Sequence, residues 1–328
     1  MDYSNASSTL LLDVNKKKWS TTMGNAFDID LNKLAPLAAA TSTLGKLRPD
    51  MAEKTGLSPA TPVMVGCGDE HAACLGAGVL KPGIVGDIIG TAEPVCTASP
   101  EPVFDPERLV ETHCHADPDL WLLENPGFVS GGNLRWFRDQ FMAGEIYGAL
   151  DSEAARVAPG ADGLIFLPSL MGSLAPLWNE SARGTYAGFT LAHGRGHFIR
   201  ALLEGSAYAV RDIITQMKAA GIELHELRVM GGGAKSNLWN QIKADVTGLQ
   251  VNVPEITETT ALGAAFLALV GIGAYGTLKE AADHIIKIRE HIDPDTEAAS
   301  MYAQAYEQYR QTYFAMLPVF EKSVRRTA

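Results

Sequence analysis

Three consecutive glycines, Gly231-Gly232-Gly233, divide an apolar run from a helical one. Leu227 to Met230 reads as a buried strand, and Ala234 to Val246 as a helix. A strand entering a helix through glycines forms a crevice where a flat ligand can lie against bare backbone, and the helix N-terminus favours negative charge. The passage is neither GxGxxG nor GxxxxGK[ST], so it supports neither a dinucleotide fold nor a P-loop. A plain tight turn is the competing reading.

The rest of the chain alternates in the same way. Pro62 to Val65 reads as a buried strand ending in Gly66-Cys67-Gly68-Asp69, with a helix from Glu70 to Ala77. Strands are predicted at Ile84 to Ile89, Glu93 to Ala98, Trp121 to Leu123, Leu164 to Leu167 and Gln250 to Val253. Helices are predicted at Asn5 to Leu12, Asn133 to Met142, His197 to Ala219, Thr259 to Val270 and Thr296 to Phe320. The alternation predicts an α/β fold with layered sheets.

Composition narrows the function classes. The formal charge is −11, and the basic clusters, Lys16-Lys17-Lys18 and the tail around Lys322, Arg325 and Arg326, read as solvated surface; no nucleic-acid partner is expected. No run of eighteen apolar residues occurs, so no membrane span is expected. Cys67, Cys74, Cys96 and Cys114 form no CxxC pair, which suits a reduced, cytoplasmic enzyme.

Chemistry concentrates in a few places. Asp69, after a strand and two glycines and at the mouth of a helix, can accept a proton from a hydroxyl that attacks phosphorus; helix capping is the competing role. Gly90-Thr91, between two strands, can offer backbone N–H groups and a hydroxyl to a phosphate oxygen. His113-Cys114-His115 could start a metal site, but no further ligand pair completes it. The two histidines read as a surface strand, and no metal ligand is assigned.

In order along the chain, these segments resemble the FGGY family of carbohydrate kinases. The resemblance runs from Asp2-Tyr3-Ser4-Asn5-Ala6-Ser7 through Gly68-Asp69-Glu70, Gly90-Thr91, and Gly131 with Arg135 ahead of Trp136. It continues through Ala182-Arg183-Gly184, Ile199-Arg200-Ala201, Glu204-Gly205, Gly232-Gly233-Ala234 with Asn237, and Thr260-Ala261-Leu262-Gly263-Ala264-Ala265.

The resemblance implies an actin-like ATPase fold, with two ribonuclease-H-like domains and ATP and sugar in the cleft between them. Residues 1–85 would be the C-terminal part of the sugar-binding domain, and residues 86–328 the nucleotide-binding domain. Asp69 would be the catalytic base and Glu70 a sugar ligand. Gly90 and Thr91 would hold the terminal phosphates, and Gly131, Arg135, Gly232, Gly233 and Asn237 would shape the adenosine site. ATP and Mg²⁺ would be required, and a homodimer is compatible with the reading. The segments Gly90 to Val95 and Gly231 to Ser236 look most like the family's kinases for D-xylulose. Another ketopentose, a polyol or glycerol is the alternative substrate.

The family's N-terminal Asp-x-Gly-Thr phosphate loop, whose acid helps hold Mg²⁺, is absent. The first domain is therefore expected to be truncated, with an uncovered apolar face near Leu10 to Leu12 and Val63 to Val65. A non-catalytic nucleotide-binding or assembly subunit is the second functional class.

Overall fold

A computed structural model describes residues 1–324, so Arg325 and Arg326 of the basic tail lie outside the described residues. Its centre is a seven-stranded mixed sheet. In chain order the strands are β1 (Gly83–Ile88), β2 (Ala92–Ser99), β3 (Glu111–Cys114), β4 (Trp121–Val129), β5 (Leu224–Met230), β6 (Gln250–Pro254) and β7 (Ile288–Ile292). Their spatial order is β7-β6-β5-β1-β2-β4-β3. The β1–β5 and β5–β6 pairs are parallel, whereas β1–β2, β2–β4, β3–β4 and β6–β7 are antiparallel.

The helices used below are α1 (Asp69–Gly76), α2 (Gly131–Phe141), α3 (Tyr147–Ala154), α4 (Arg195–Ala219), α5 (Asn237–Thr247), α6 (Thr259–Gly271), α7 (Leu278–Ile285) and α8 (Thr296–Val324). The main core gathers Ile199, Leu202, Leu203, Val210, Ile213, Ile214 and Met217 of α4 against sheet residues such as Leu227, Val229 and Val251. Those α4 residues recur at three- and four-residue steps and define its buried face. Each fully buried aliphatic side chain contributes about 1.5–3 kcal/mol.

The segments Ile199-Arg200-Ala201 and Glu204-Gly205 build the interior. Arg200 Nε donates to Glu204 Oε1 at 2.8 Å, Tyr302 Oη donates to the same oxygen at 3.1 Å, and Gly160 N–H donates to it at 2.9 Å. Gly263 has a packing reason as well. A Cβ there would lie 1.9 Å from the Ala72 carbonyl oxygen, and one at Gly76 would lie 1.9 Å from that of Thr259. Only glycines let α6 lie this close to α1, the helix that carries Asp69.

Several local expectations are corrected. The N-terminal helix covers only Tyr3–Ser7, and Leu12 instead enters a two-residue strand. Pro62–Met64 is half-buried in a two-stranded sheet with Thr43–Lys46, rather than a buried strand. Leu10 is exposed, but Leu12 is buried in a cluster with Ala6 and Cys114, and Val63 is half-buried. The helix expected from Ala234 is split into a 3₁₀ turn, Gly232–Lys235, and α5. Ser236 divides them because its hydroxyl accepts from Trp239 N–H at 3.1 Å and caps α5.

Candidate active site

Two cavities hold most of the expected site residues. The first, about 380 Å³, is lined by Ile89, Gly90, Thr91, Gly131, Leu134, Arg135, Tyr147, Gly148, Asp151, Gly232, Gly233, Lys235, Ser236 and Trp239. Backbone hydrogen bonds tie its walls together. Ile89 N–H donates to Met230 O at 2.9 Å, and Gly233 N–H donates to Ile89 O at 3.2 Å. Ser130 and Gly132 each donate a backbone N–H to Thr91 O at 3.1 Å. The hairpin, the start of α2 and the glycine turn thus form one rigid rim, with Arg135 and Lys235 supplying positive charge.

The two turn glycines differ in what a side chain would meet. A Cβ on Gly233 would lie 2.2 Å from Ile89 Cγ2, so this glycine is needed for the turn to close on the sheet. A Cβ on Gly232 would meet nothing within 4 Å. Asn237, at the start of α5, is exposed and does not line the cavity; Ser236 and Trp239 do. Tyr147, Gly148 and Asp151 were not expected in this wall. They come from α3, a short helix without a strong periodic signal. The Asp151 carboxyl is raised above its usual range by burial, partly offset by a hydrogen bond with Ser236.

The second cavity, about 760 Å³, holds Asp69 and Glu70 among its walls, with Asn5, Ser7, Asp105, Arg108, Glu111, His113, Glu124 and Trp178. Asp69 opens α1, whose N-cap is Gly68, and its carboxylate is exposed to the cavity. Its Oδ1 accepts from Glu70 N–H at 2.9 Å, so a helix-start role coexists with an accessible carboxylate. The Asp2-Tyr3-Ser4-Asn5-Ala6-Ser7 segment is a helical turn capped by Asp2, whose Oδ2 accepts from Ser4 N–H at 2.8 Å. That turn is anchored on β3, where Cys114 N–H donates to Ser7 Oγ at 3.1 Å.

Glu111 and Glu124 went unnoticed in the sequence because only the β3–β4 register pairs them. Burial raises the Glu70 carboxyl above its usual range, and burial followed by the Glu70 charge raises Glu124 well above it. Burial likewise lowers His71 to about 4.

The surface-strand reading of His113 and His115 is corrected, because both are buried. His113 Nε2 lies 3.0 Å from Glu111 Oε2, while His115 Nδ1 accepts from Asp117 N–H at 2.9 Å. The Tyr3–Ser7 turn packs on this edge strand, with Ser7 Oγ 3.4 Å from His113 Nδ1, which takes His113 off the surface. Among the described residues no group of three His, Cys, Asp or Glu is placed to hold a metal ion.

Residues 88–272 match the C-terminal domain, and residues 1–76 the N-terminal domain, of the FGGY family of carbohydrate kinases. The chain belongs to this family, and its fold is the mixed α/β sugar-kinase fold of the actin-like ATPases. It is 31% identical over 313 residues to a xylulose kinase of Staphylococcus epidermidis, covering 95% of this chain and 63% of that relative. It is 33% identical over 327 residues to an autoinducer-2 kinase of Salmonella paratyphi B, covering 95% of this chain and 61% of that relative. The crystal structure of xylulose kinase from Rhodospirillum rubrum superposes with a TM-score of 0.88 at 29% identity, over 98% of this chain and 65% of that one. The chain thus spans less than two thirds of the length of these relatives. Among the described residues, no helix is long and apolar enough to cross a membrane.

Proposed function

We propose that the chain serves ATP-dependent phosphorylation of a small sugar, D-xylulose to D-xylulose 5-phosphate. The observation that carries the reading is the placement of Asp69. It offers an exposed carboxylate to a polar cavity, on a helix locked by glycine packing to α6. In this reading Asp69 takes the proton of the attacking sugar hydroxyl as its oxygen bonds to the γ-phosphorus and the bond to ADP breaks. Glu70 hydrogen-bonds the sugar. The Gly90 and Thr91 hairpin holds the terminal phosphates, while Gly131, Arg135, Gly232 and Gly233 form the adenosine wall, with Asn237 beside it.

Mg²⁺ enters as part of the substrate Mg·ATP. Such an ion keeps several waters and takes only one or two protein carboxylates beside the phosphates; Asp151 is the one carboxylate among the residues lining the first cavity. Asp69 stands exposed in the wall of the second cavity. Residues 1–85 act as part of the sugar-side domain and residues 86–328 as the nucleotide domain. The boundary falls inside β1 (Gly83–Ile88), so the central sheet begins a few residues before it. Four free cysteines agree with a reducing, cytoplasmic setting.

The likeness to a xylulose kinase favours D-xylulose over the other sugars. Steady-state rates of ADP formation with D-xylulose, another ketopentose, a polyol and glycerol test the choice. D-xylulose is expected to give the highest kcat/KM; a higher value for any other overturns the substrate assignment.

The glycine turn gives a separate prediction. Gly232→Val projects its side chain into open space at the cavity wall, so ADP affinity falls by at least about tenfold while stability stays within about 0.5 kcal/mol. Gly233→Val strikes Ile89 and costs both affinity and stability. Calorimetry showing wild-type ADP affinity in Gly232→Val would remove the turn from the nucleotide site.

A further inference from the structure

We propose that Glu124 is a positioning residue for Glu70: the two side chains share one proton, and the shared bond fixes how Glu70 meets the sugar. The inference rests on the sugar-kinase reading. Glu124 is 4% exposed and sits in the middle of β4, where the register sets it opposite Glu111 of β3 and Cys96 of β2. Its carboxyl lines the second cavity beside that of Glu70, at the start of α1, and Glu70 Oε1 has no hydrogen-bond partner among the described residues. Strand and helix therefore bring together two carboxyls that lie far apart in sequence.

The surroundings supply little counter-charge. The groups that face the pair are Asp69 from α1, and Glu111 and His113 from β3, while His71 of α1 lines the same cavity. Cys74 of α1 and Cys96 of β2 lie behind it as buried thiols. His113 is engaged with Glu111 at 3.0 Å, and neither Glu70 nor Glu124 forms an ion pair among the described residues. Arg108 lines the same cavity, without an ion pair to either carboxyl. Two neighbouring carboxyls, one buried and one half-buried, with no cation paired to either, do not both ionise readily. One proton stays on the pair, as the upward displacement of both groups agrees.

A second polar group in the wall has no protein partner. His71 is 6% exposed, lines the cavity, and its Nδ1 makes no hydrogen bond among the described residues. Both features suit an uncharged polyhydroxy ligand, whose hydroxyls can donate to one group and accept from another. They disfavour an anionic one.

Two readouts test the assignment on the whole chain. Infrared spectra at neutral pH should show a protonated-carboxyl band that is lost in both Glu70→Gln and Glu124→Gln. Sugar KM in the wild type should rise with pH as the shared proton leaves. In Glu124→Gln, whose amide still donates to Glu70, KM should stay low and flat with pH. Glu124→Leu, which cannot donate, should raise KM about tenfold with little change in kcat, as one lost charge-assisted hydrogen bond implies. A band unchanged in Glu124→Gln, or a Glu124→Leu enzyme with wild-type KM and pH profile, overturns the proposal. A band lost in both variants, with no sugar turnover in the wild type, upholds the shared proton and overturns the kinase reading alone.

Discussion

Asp69→Asn is expected to lower kcat for sugar phosphorylation by about 10²–10⁴-fold, the usual contribution of a general base. The substitution keeps the shape of the side chain. Its carbonyl oxygen can still accept from Glu70 N–H, the bond that Asp69 Oδ1 makes at 2.9 Å. What is lost is the capacity to take a proton. Because Asp69 is exposed, stability should move by no more than about 0.5 kcal/mol. The first cavity, the proposed nucleotide site, does not include Asp69, so ADP affinity measured by calorimetry should be unchanged. Turnover at the wild-type rate would remove Asp69 from the mechanism.

Lys243→Met should produce the largest loss of stability, about 3–5 kcal/mol, because it strands buried charge. Lys243 of α5 is fully buried, and its ammonium donates to both Asp87 of β1 and Glu93 of β2, which are fully buried too. The three side chains brace the strands on either side of Gly90-Thr91 against the helix that follows the glycine turn. Replacing all three with neutral residues of similar shape, Asp87→Asn, Glu93→Gln and Lys243→Met, should recover most of the loss.

The pH dependence has a definite sign. Burial, partly offset by Lys243, pushes the Glu93 carboxyl up to about 8, from an ordinary value of 4.5. The folded protein thus holds this proton more tightly than the unfolded chain. Glu93's contribution is full below pH 4.5 and is lost as pH rises through about 8. Urea unfolding of wild type and Glu93→Gln across this range checks it. The wild type should lose stability relative to the variant as pH rises, and parallel curves would contradict the account.

The sequence made some of this arrangement readable and hid the rest, for physical reasons. The apolar repeat of Ile199 to Met217 announces α4 because one helical face meets the core. Gly66 and Gly231 announce turns because their backbones take φ of 78°, which few other residues adopt. Glu124 could not be read. Thirteen positions separate it from Glu111, and antiparallel register alone makes them neighbours. Tyr147 and Asp151 were missed because α3 is short and its apolar residues trace no clear stripe. His113 and His115 looked like surface residues because nothing local shows that the Tyr3–Ser7 turn folds over their strand. The break between the glycine turn and α5 did have a signal, since Ser236 is a good cap, but the glycines drew the helix start too early.

The central claim is that this chain serves the transfer of phosphoryl from ATP to a sugar hydroxyl. The direct measurement is mass analysis of the sugar after incubation with Mg·ATP and D-xylulose, with ADP counted in the same sample. The account predicts a sugar monophosphate formed one-for-one with ADP, dependent on both substrates and lost in Asp69→Asn. ATP bound at the glycine turn, with no sugar phosphate from any of the sugars tested, would contradict it and favour a non-catalytic nucleotide-binding subunit.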